Sequence, residues 1–600
     1  MPQSESGGIC DVAEDRSLKR QLTARAIVAG MLLGGFMSLS NLYVALKTGW
    51  SIGVSITAGI LAYAIFAGLF KMKLVRRHFG MLENNAMQSV ASAAGYMTGG
   101  GTVAAIPALM MITGEAMGGW QMFFWISSIA MLGVVMAIPM KLQMINVEQL
   151  RFPTGVAAAE TLRALHGDGA DGAAKARLLA WGGVTGALLA FFRDAKADWM
   201  KWNLPEKFNI PFLTLKGRPL ADYTLSFEGS LIMLGAGAIM GFRAAWSMLL
   251  GAVINFGVLA PLLYERGIID SRLGYKHIVA WSVWFGSATI LTSGLLAFAF
   301  QWRTVARAIK SVGSAFGGAP LSAEERLEVP MLWFFIGLAV LSPAVIFLEW
   351  FLFGIKIWMG AISVGLGFFI AIVACRATGE TDTTPTGALG KITQITFGAL
   401  DPSNITTNLM TANVTGGVGL HAADLLTDLK SGYLLKADPR QQFWAQFFGV
   451  IAGSLFVVPA YRLLIPTADM LGTDKWPAPG AQTWKGVAEL LAKGFHTLHP
   501  TAQAALAAGA ALGIALVLLE KAFPKYKKYI PSPTGLGLAF TTPAFNTTSM
   551  FCGASIALLL EKKNAAAADR IVVPVSSGFI AGESLVGVLI AALVVAGLLR

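Results

Sequence analysis

Charge is scarce in this chain. Of its 600 residues only 13% are Asp, Glu, Lys or Arg, while 55% are apolar. With a mean hydropathy of +0.62, that shortage excludes a soluble fold. Ligand-forming side chains are few as well. Cys10, Cys375 and Cys552 stand far apart, and of the six histidines only His496 and His499 share a helical i, i+3 spacing, within a loop. No resident metal or other cofactor is expected, so a transported metal would arrive already chelated. The phosphate-binding pattern GxxxxGK[ST] is absent, which excludes ATP hydrolysis by this chain as a source of energy. The net charge of +12 is no nucleic-acid signal, because the basic residues cluster beside apolar runs, where orientation and contact with anionic membrane lipid call for them.

What is present is a series of apolar runs about 20 residues long, the length needed to cross a bilayer as a helix. The expected fold is all-α: a polytopic helical membrane protein with about 12–16 transmembrane segments in two duplicated halves, with interrupted helices near the centre. The first spans are expected at about 23–46 and 50–70, and Lys19, Arg20, Arg25, Lys71, Lys73, Arg76 and Arg77 around them put the N-terminus on the cytoplasmic side. The chain divides into a cytoplasmic tail at 1–21, a first transmembrane repeat at 22–300, a cytoplasmic linker at 301–329 and a second repeat at 330–600. A polar, Pro-containing stretch at 194–227 is long enough for a small extramembrane hairpin. Two further spans are expected at 228–246 and 247–264. The charged stretch 421–440 has the composition of a membrane-surface loop.

One stretch is too polar for its surroundings. Within NNAMQSVASAAGYMTGGG, residues 84–101, a helix places Asn85, Gln88, Ser89, Ser92 and Tyr96 on one face, with Ala86, Val90, Ala93 and Ala94 on another. A second stretch, 403–419, carries Asn404, Thr407, Asn408, Thr411 and Thr415, each 319 residues after its counterpart. Both end in glycines where a helix readily breaks and frees backbone groups. Two further correspondences, Pro153 with Pro477 and Pro139 with Pro459, fall at shifts of 324 and 320, and the near-constant offset points to an internal duplication. An unsatisfied amide in hydrocarbon costs about 2–7 kcal/mol, so the two stripes are expected to face each other, a cavity or a ligand. Paired interrupted segments in corresponding halves are the sequence pointer to a transporter's substrate site.

The segments NAMQSVASAAGYMTGGG, FPTGVAAAETLRALHG, GETDTTPTGALGKITQ, AADLLTDLKSGYLL and SGFIAGESLVGV resemble the motifs of prokaryotic members of the oligopeptide transporter family, which includes the yellow stripe-like transporters of metal chelates. The resemblance runs from about residue 25 to 600. It implies a secondary transporter of short peptides or peptide-like metal chelates, usually moved with protons, and is compatible with a homodimer. The NPG and KIPPR-type signatures of the eukaryotic peptide branch are lacking, and the chain looks closer to the yellow stripe-like branch.

Three function classes remain in order. A proton-coupled importer in a prokaryotic cytoplasmic membrane comes first and a channel for small polar solutes second. An intramembrane enzyme comes third, because Asp382 has no second aspartate in a like motif and Ser584 no histidine in the span that follows it. A proton-driven carrier needs a protonatable carboxylate in an apolar setting. Glu583 leads, since no basic residue lies between Arg570 and Arg600. Glu160 follows, with Arg163 one turn away as a possible partner, and Asp382 is third.

Overall fold

The computed structural model describes residues 21–599 apart from 50, 52, 100, 167–169, 196–201, 210–212, 270–272, 301–327, 382, 383, 385, 495 and 497. Nearly all of the expected tail and linker therefore lies outside the described residues. The chain begins with α1 (Ala24–Thr48), α2 (Ser55–Lys71) and α3 (Met81–Tyr96), and α3 passes through a π turn at Gly101–Ala105 into α4 (Ile106–Thr113). Next come α5 (Gly119–Met136), prolonged to Val147, the short α6 (Pro153–His166) and α7 (Ala170–Asp194).

Residues 207–228 hold two small antiparallel ribbons, β1 (Lys207–Phe208) with β4 (Phe227–Glu228) and β2 (Thr214–Leu215) with β3 (Arg218–Pro219). The helix expected at 228–246 does not form as one piece. Gly241, at φ 90°, separates α8 (Leu231–Met240) from α9 (Phe242–Ala252), a conformation that a side chain would strain. Helix α9 then continues to Glu265, and α10 (Tyr275–Phe300) closes the first half.

The second half runs through α11 (Met331–Phe353), α12 (Ile357–Thr381), α13 (Thr386–Leu400), α14 (Ile405–Leu435), α15 (Pro439–Leu464), the short α16 (Pro479–Lys493), α17 (Pro500–Ala522), α18 (Pro533–Ala539), α19 (Ala544–Lys563) and α20 (Ala565–Val595). Among the described residues ten helices are long and apolar enough to cross a membrane. The protein is an all-α, multi-pass integral membrane protein.

Packing between the halves is reciprocal. Helix α3 lies on α15 while α14 lies on α5; α7 lies on α20 while α17 lies on α10; and α8 lies on α19 while α18 lies on α9. The two short Pro-initiated helices behave alike, α6 resting on α14 and α16 on α4. Small residues permit the closest crossings, where there is no apolar driving force beyond what lipid offers and backbone contact must supply the attraction. Along α7 and α20, Gly182 and Gly186 meet the Val575 and Phe579 carbonyls, each within 2.6 Å of where a Cβ would stand, and Gly578 and Gly582 return the contact to Leu179 and Gly183.

Two expectations about α14 are corrected. Its Gly416, Gly417 and Gly419 do not break the helix, which is continuous for 31 residues, about 46 Å. Gly417 and Gly419 serve close packing instead, against Ile129 of α5 and against Ile370 and Ala374 of α12. The stretch from 421 to 435 is no surface loop. His421, Asp424, Asp428, Lys430 and Ser431 are all at most 5% exposed, and the chain turns only at Lys436.

Candidate functional site

Helix α3 is buried at every residue from Glu83 to Gly95. Its small face is gripped from both sides. Gly30 and Gly34 of α1 approach Val90 and Ala91, while Gly449 and Gly453 of α15 approach the Val90 and Ala94 carbonyls. Any larger residue at those four glycines would push the helices apart, so the polar face of α3 is held at fixed depth between neighbours.

That polar face meets the C-terminal half of α14 and the start of α15. Ser431 Oγ donates to Asn85 Oδ1 (2.9 Å), Gln442 Nε2 to Ser89 Oγ (3.2 Å) and Ser92 Oγ to Asp424 Oδ1 (2.8 Å). Gln446 Nε2 donates to Asp428 Oδ2 at 2.8 Å and reaches Asp424 Oδ2 at 3.4 Å. Gln88 turns elsewhere, its Oε1 lying 3.6 Å from the place of a Cβ on Gly59 of α2, and neither atom of its amide has a protein hydrogen-bond partner. Tyr96 is half-buried.

The second stripe forms a different cluster. Asn404 caps α14 by accepting from Thr407 N. Asn408 and Gln394 of α13 bond reciprocally, Asn408 Nδ2 to the Gln394 carbonyl and Gln394 Nε2 to Asn408 Oδ1, and Gln394 also donates to the Trp484 carbonyl of α16. Thr415 pairs with Thr393 at 2.7 Å, and Thr411 Oγ1 donates to the Thr407 carbonyl. Asn85, Ser89 and Ser92 of the first stripe thus bond α14 and α15 beyond the second stripe. Each stripe engages a different end of α14, the clusters separated by about 14 Å between Thr415 and Asp424.

Between and around these clusters lie buried polar atoms without a protein partner: Gln394 Oε1, Thr407 Oγ1, His421 Nδ1, Gln442 Oε1, Gln446 Oε1 and the Lys391 ammonium. Lys391, one turn before Gln394 on α13, is 1% exposed. Protein interiors satisfy most such groups, and these six lie on α13, α14 and α15, beside the polar face of α3.

The expected coupling carboxylates fare differently. Asp382 lies outside the described residues. Glu160 is exposed on α6, and Arg163 donates to the Leu434 carbonyl. Glu583 is 1% exposed as expected, but the reasoning that left it free of basic partners fails, because the partner comes from another helix. Arg193 Nη1 of α7 donates to Glu583 Oε1 (2.8 Å), as does Ser230 Oγ (2.8 Å), and Ile232 N donates to Oε2 (3.0 Å). Glu583 thereby caps α8, meeting its free N-terminal amides and its dipole, while countering Arg193. The sequence reading missed Asp424 and Asp428. Their signal was present in the like-charge pair that two aspartates at i, i+4 form among Leu425, Leu426 and Leu429, an arrangement that is unfavourable on a helix unless something bonds it.

A family profile described as OPT oligopeptide transporter protein matches residues 21–594. The chain is 26% identical to a putative oligopeptide transporter of Haemophilus influenzae, the match covering 92% of this chain and 93% of the relative. It is 25% identical to the metal-nicotianamine transporter YSL2 of Oryza sativa, over 94% and 91%. To the iron-phytosiderophore transporter yellow stripe 1 of Zea mays it is 26% identical, over 95% and 90%. With a profile spanning almost all of a chain whose interior polar helices carry the motifs named above, the protein belongs to the OPT oligopeptide transporter family.

Proposed function

We propose that the chain is a secondary active transporter that imports short peptides or peptide-like metal chelates across a prokaryotic cytoplasmic membrane, coupled to protons, with its N-terminus inside. The observation that carries this reading is the set of partnerless amide, hydroxyl and ammonium groups buried along α13, α14 and α15, beside the polar face of α3. Both substrate classes offer carboxylates and amides, which suit the Lys391 ammonium, the Asn408–Gln394 pair and the Thr407 hydroxyl.

The reciprocal packing of the halves supports a duplicated carrier whose site lies along α14. Its two ends would be the Asn408 cluster and the Ser89 cluster. Rocking of one half against the other would open each end in turn, as paired repeats do in secondary transporters.

The test is counterflow. Proteoliposomes preloaded with unlabelled tri- to pentapeptide or iron chelate should transiently accumulate the labelled compound with saturable kinetics. Unitary conductance in planar bilayers without counterflow would instead make the protein a channel.

A further inference from the structure

Asp424 and Asp428 are 5% and 1% exposed, on one face of α14, and no salt bridge among the described residues reaches either. Like charges one helical turn apart repel, and in a low-dielectric interior they do so far more strongly than in water. The local donors are few for two full charges: Ser92 Oγ serves Asp424, the Ser89 and Ser92 hydroxyls also stand beside Asp428, and a single amide nitrogen, Gln446 Nε2, is shared between the two carboxyl groups.

Apart from Lys391 of α13, whose buried ammonium has no protein partner, and exposed Glu160 of α6, the charged side chains on the elements packed around this half of α14 have other partners. Arg25 of α1 pairs with Glu83 of α3. Lys141, just beyond α5, pairs with Glu328, and Arg376 of α12 with Glu148 and Glu380. On α6, Glu160 is exposed, Arg163 donates to the Leu434 carbonyl, and His166 bonds the Leu162 and Phe79 carbonyls. Arg440 of α15 donates to the Glu328 carbonyl. On α14 itself Lys430 reaches Gln149 Oε1 at 3.4 Å, and His421, one turn before Asp424, has an Nδ1 without a protein partner.

A second observation points to a ligand here. Gln446 is fully buried, and because its Nε2 bonds both carboxyl groups its amide lies within the site, yet its Oε1 has no partner. Gln442, 1% exposed and bonded through Nε2 to Ser89 Oγ and the Asp428 carbonyl, flanks the pair, with its unpartnered Oε1 against Gly432. The pair is therefore rich in acceptors and short of one donor or one cation.

We propose that Asp424 and Asp428, with the Gln446 amide, form the binding site for the coupling cation, and that this cation is a proton carried on one of the two carboxyl groups. The proposal rests on the transporter reading for its role in coupling, though not for its chemistry. Binding adds one proton to one carboxylate oxygen, removes the repulsion within the pair and supplies the missing donor. Release restores the doubly acceptor state. Because Ser92 and Ser89 connect the pair directly to α3, a change of protonation there is felt by the helix that lines the Ser89 cluster.

The test needs no substrate. Infrared difference spectra of the full-length protein in lipid, recorded between alkaline and acidic buffer, should show the carbonyl stretch of a protonated carboxyl group shielded from water. The band should shift when the protein is made with carboxyl-13C aspartate, and should be lost in Asp424→Asn, in Asp428→Asn or in both. A band that ignores the aspartate label, or that survives both substitutions in folded protein, overturns the proposal. So does the absence of an acid-dependent band together with a carboxylate shift on adding sodium at fixed pH, which would assign the pair to sodium. If neither variant folds, the isotope shift in the unmodified sequence decides alone. Failure of counterflow with the labelled band present sinks the transporter reading and leaves the proton site standing.

Discussion

Glu583→Gln is expected to lower the stability of the protein sharply, on the order of 3–5 kcal/mol, because it strips a buried cation of its counter-charge. Arg193 and Glu583 have 3% and 1% of their side chains exposed. The amide keeps the shape of the carboxyl group and can still accept from Ile232 N, so what is lost is mainly the charge facing Arg193 and the α8 dipole. Asp194, which also bonds Arg193 through both oxygens, softens the loss without removing it. In detergent, the melting temperature should fall well below that of the unmodified protein, and the double change Arg193→Met, Glu583→Gln should recover a good part of it, since the only charge then left without its partner is Asp194, whose side chain is 28% exposed. A Glu583→Gln protein that melts unchanged but no longer accumulates substrate would reverse this assignment and return Glu583 to proton coupling.

Gly582→Ala is expected to be nearly as damaging, although it adds only a methyl group. The new Cβ would fall inside the van der Waals shell of the Gly183 carbonyl oxygen, where backbone cannot yield as a flexible side chain can. Overpacking typically costs about 1–3 kcal/mol, and here the displaced element also carries Glu583, so the Arg193 bond would be disturbed as well. The contrast lies on the same crossing. A Cβ on Gly183 would sit 3.9 Å from the Gly578 oxygen, an ordinary contact, so Gly183→Ala should be tolerated. Size-exclusion profiles and melting temperatures of the two alanine variants should separate clearly; equal behaviour would show that the α7–α20 crossing is looser than described.

Much of the fold is readable from local pattern alone. The span expected at 23–46 corresponds to α1 within two residues at each end, because an apolar run bounded by polar residues is a property of adjacent positions. The break at Gly241 was not read, since glycine is also common within membrane helices, and the need for a positive φ arises only where α8 and α9 diverge. The interior half of α14 was misplaced for a related reason. Its aspartates and lysine look like solvent contacts until Gln446, Ser92 and Ser431 are known to surround them.

Partners distant in sequence are the clearest limit. Arg193 stands 390 residues from Glu583, and Ser92 stands 332 from Asp424, so neither contact leaves a mark in local spacing. The polar character of both stripes was legible. That one stripe would bond α14 and α15 and the other α13 depends on the reciprocal packing of the halves.

The most direct test of a carrier whose site runs along α14 is substrate protection of single cysteines at its two ends. Ser89 and Asn408 are buried here at 0% and 2% exposure, so reaction of either position with a polar, membrane-impermeant thiol reagent reports opening of that end. In a protein whose three native cysteines are replaced by serine, Ser89→Cys and Asn408→Cys should each react. The peptide or chelate that gives counterflow should slow both reactions severalfold, leaving a cysteine at exposed Asp474 unaffected. Labelling of both positions at rates the transported compound does not change, or inertness of both in protein that still catalyses counterflow, would contradict a substrate path along α14.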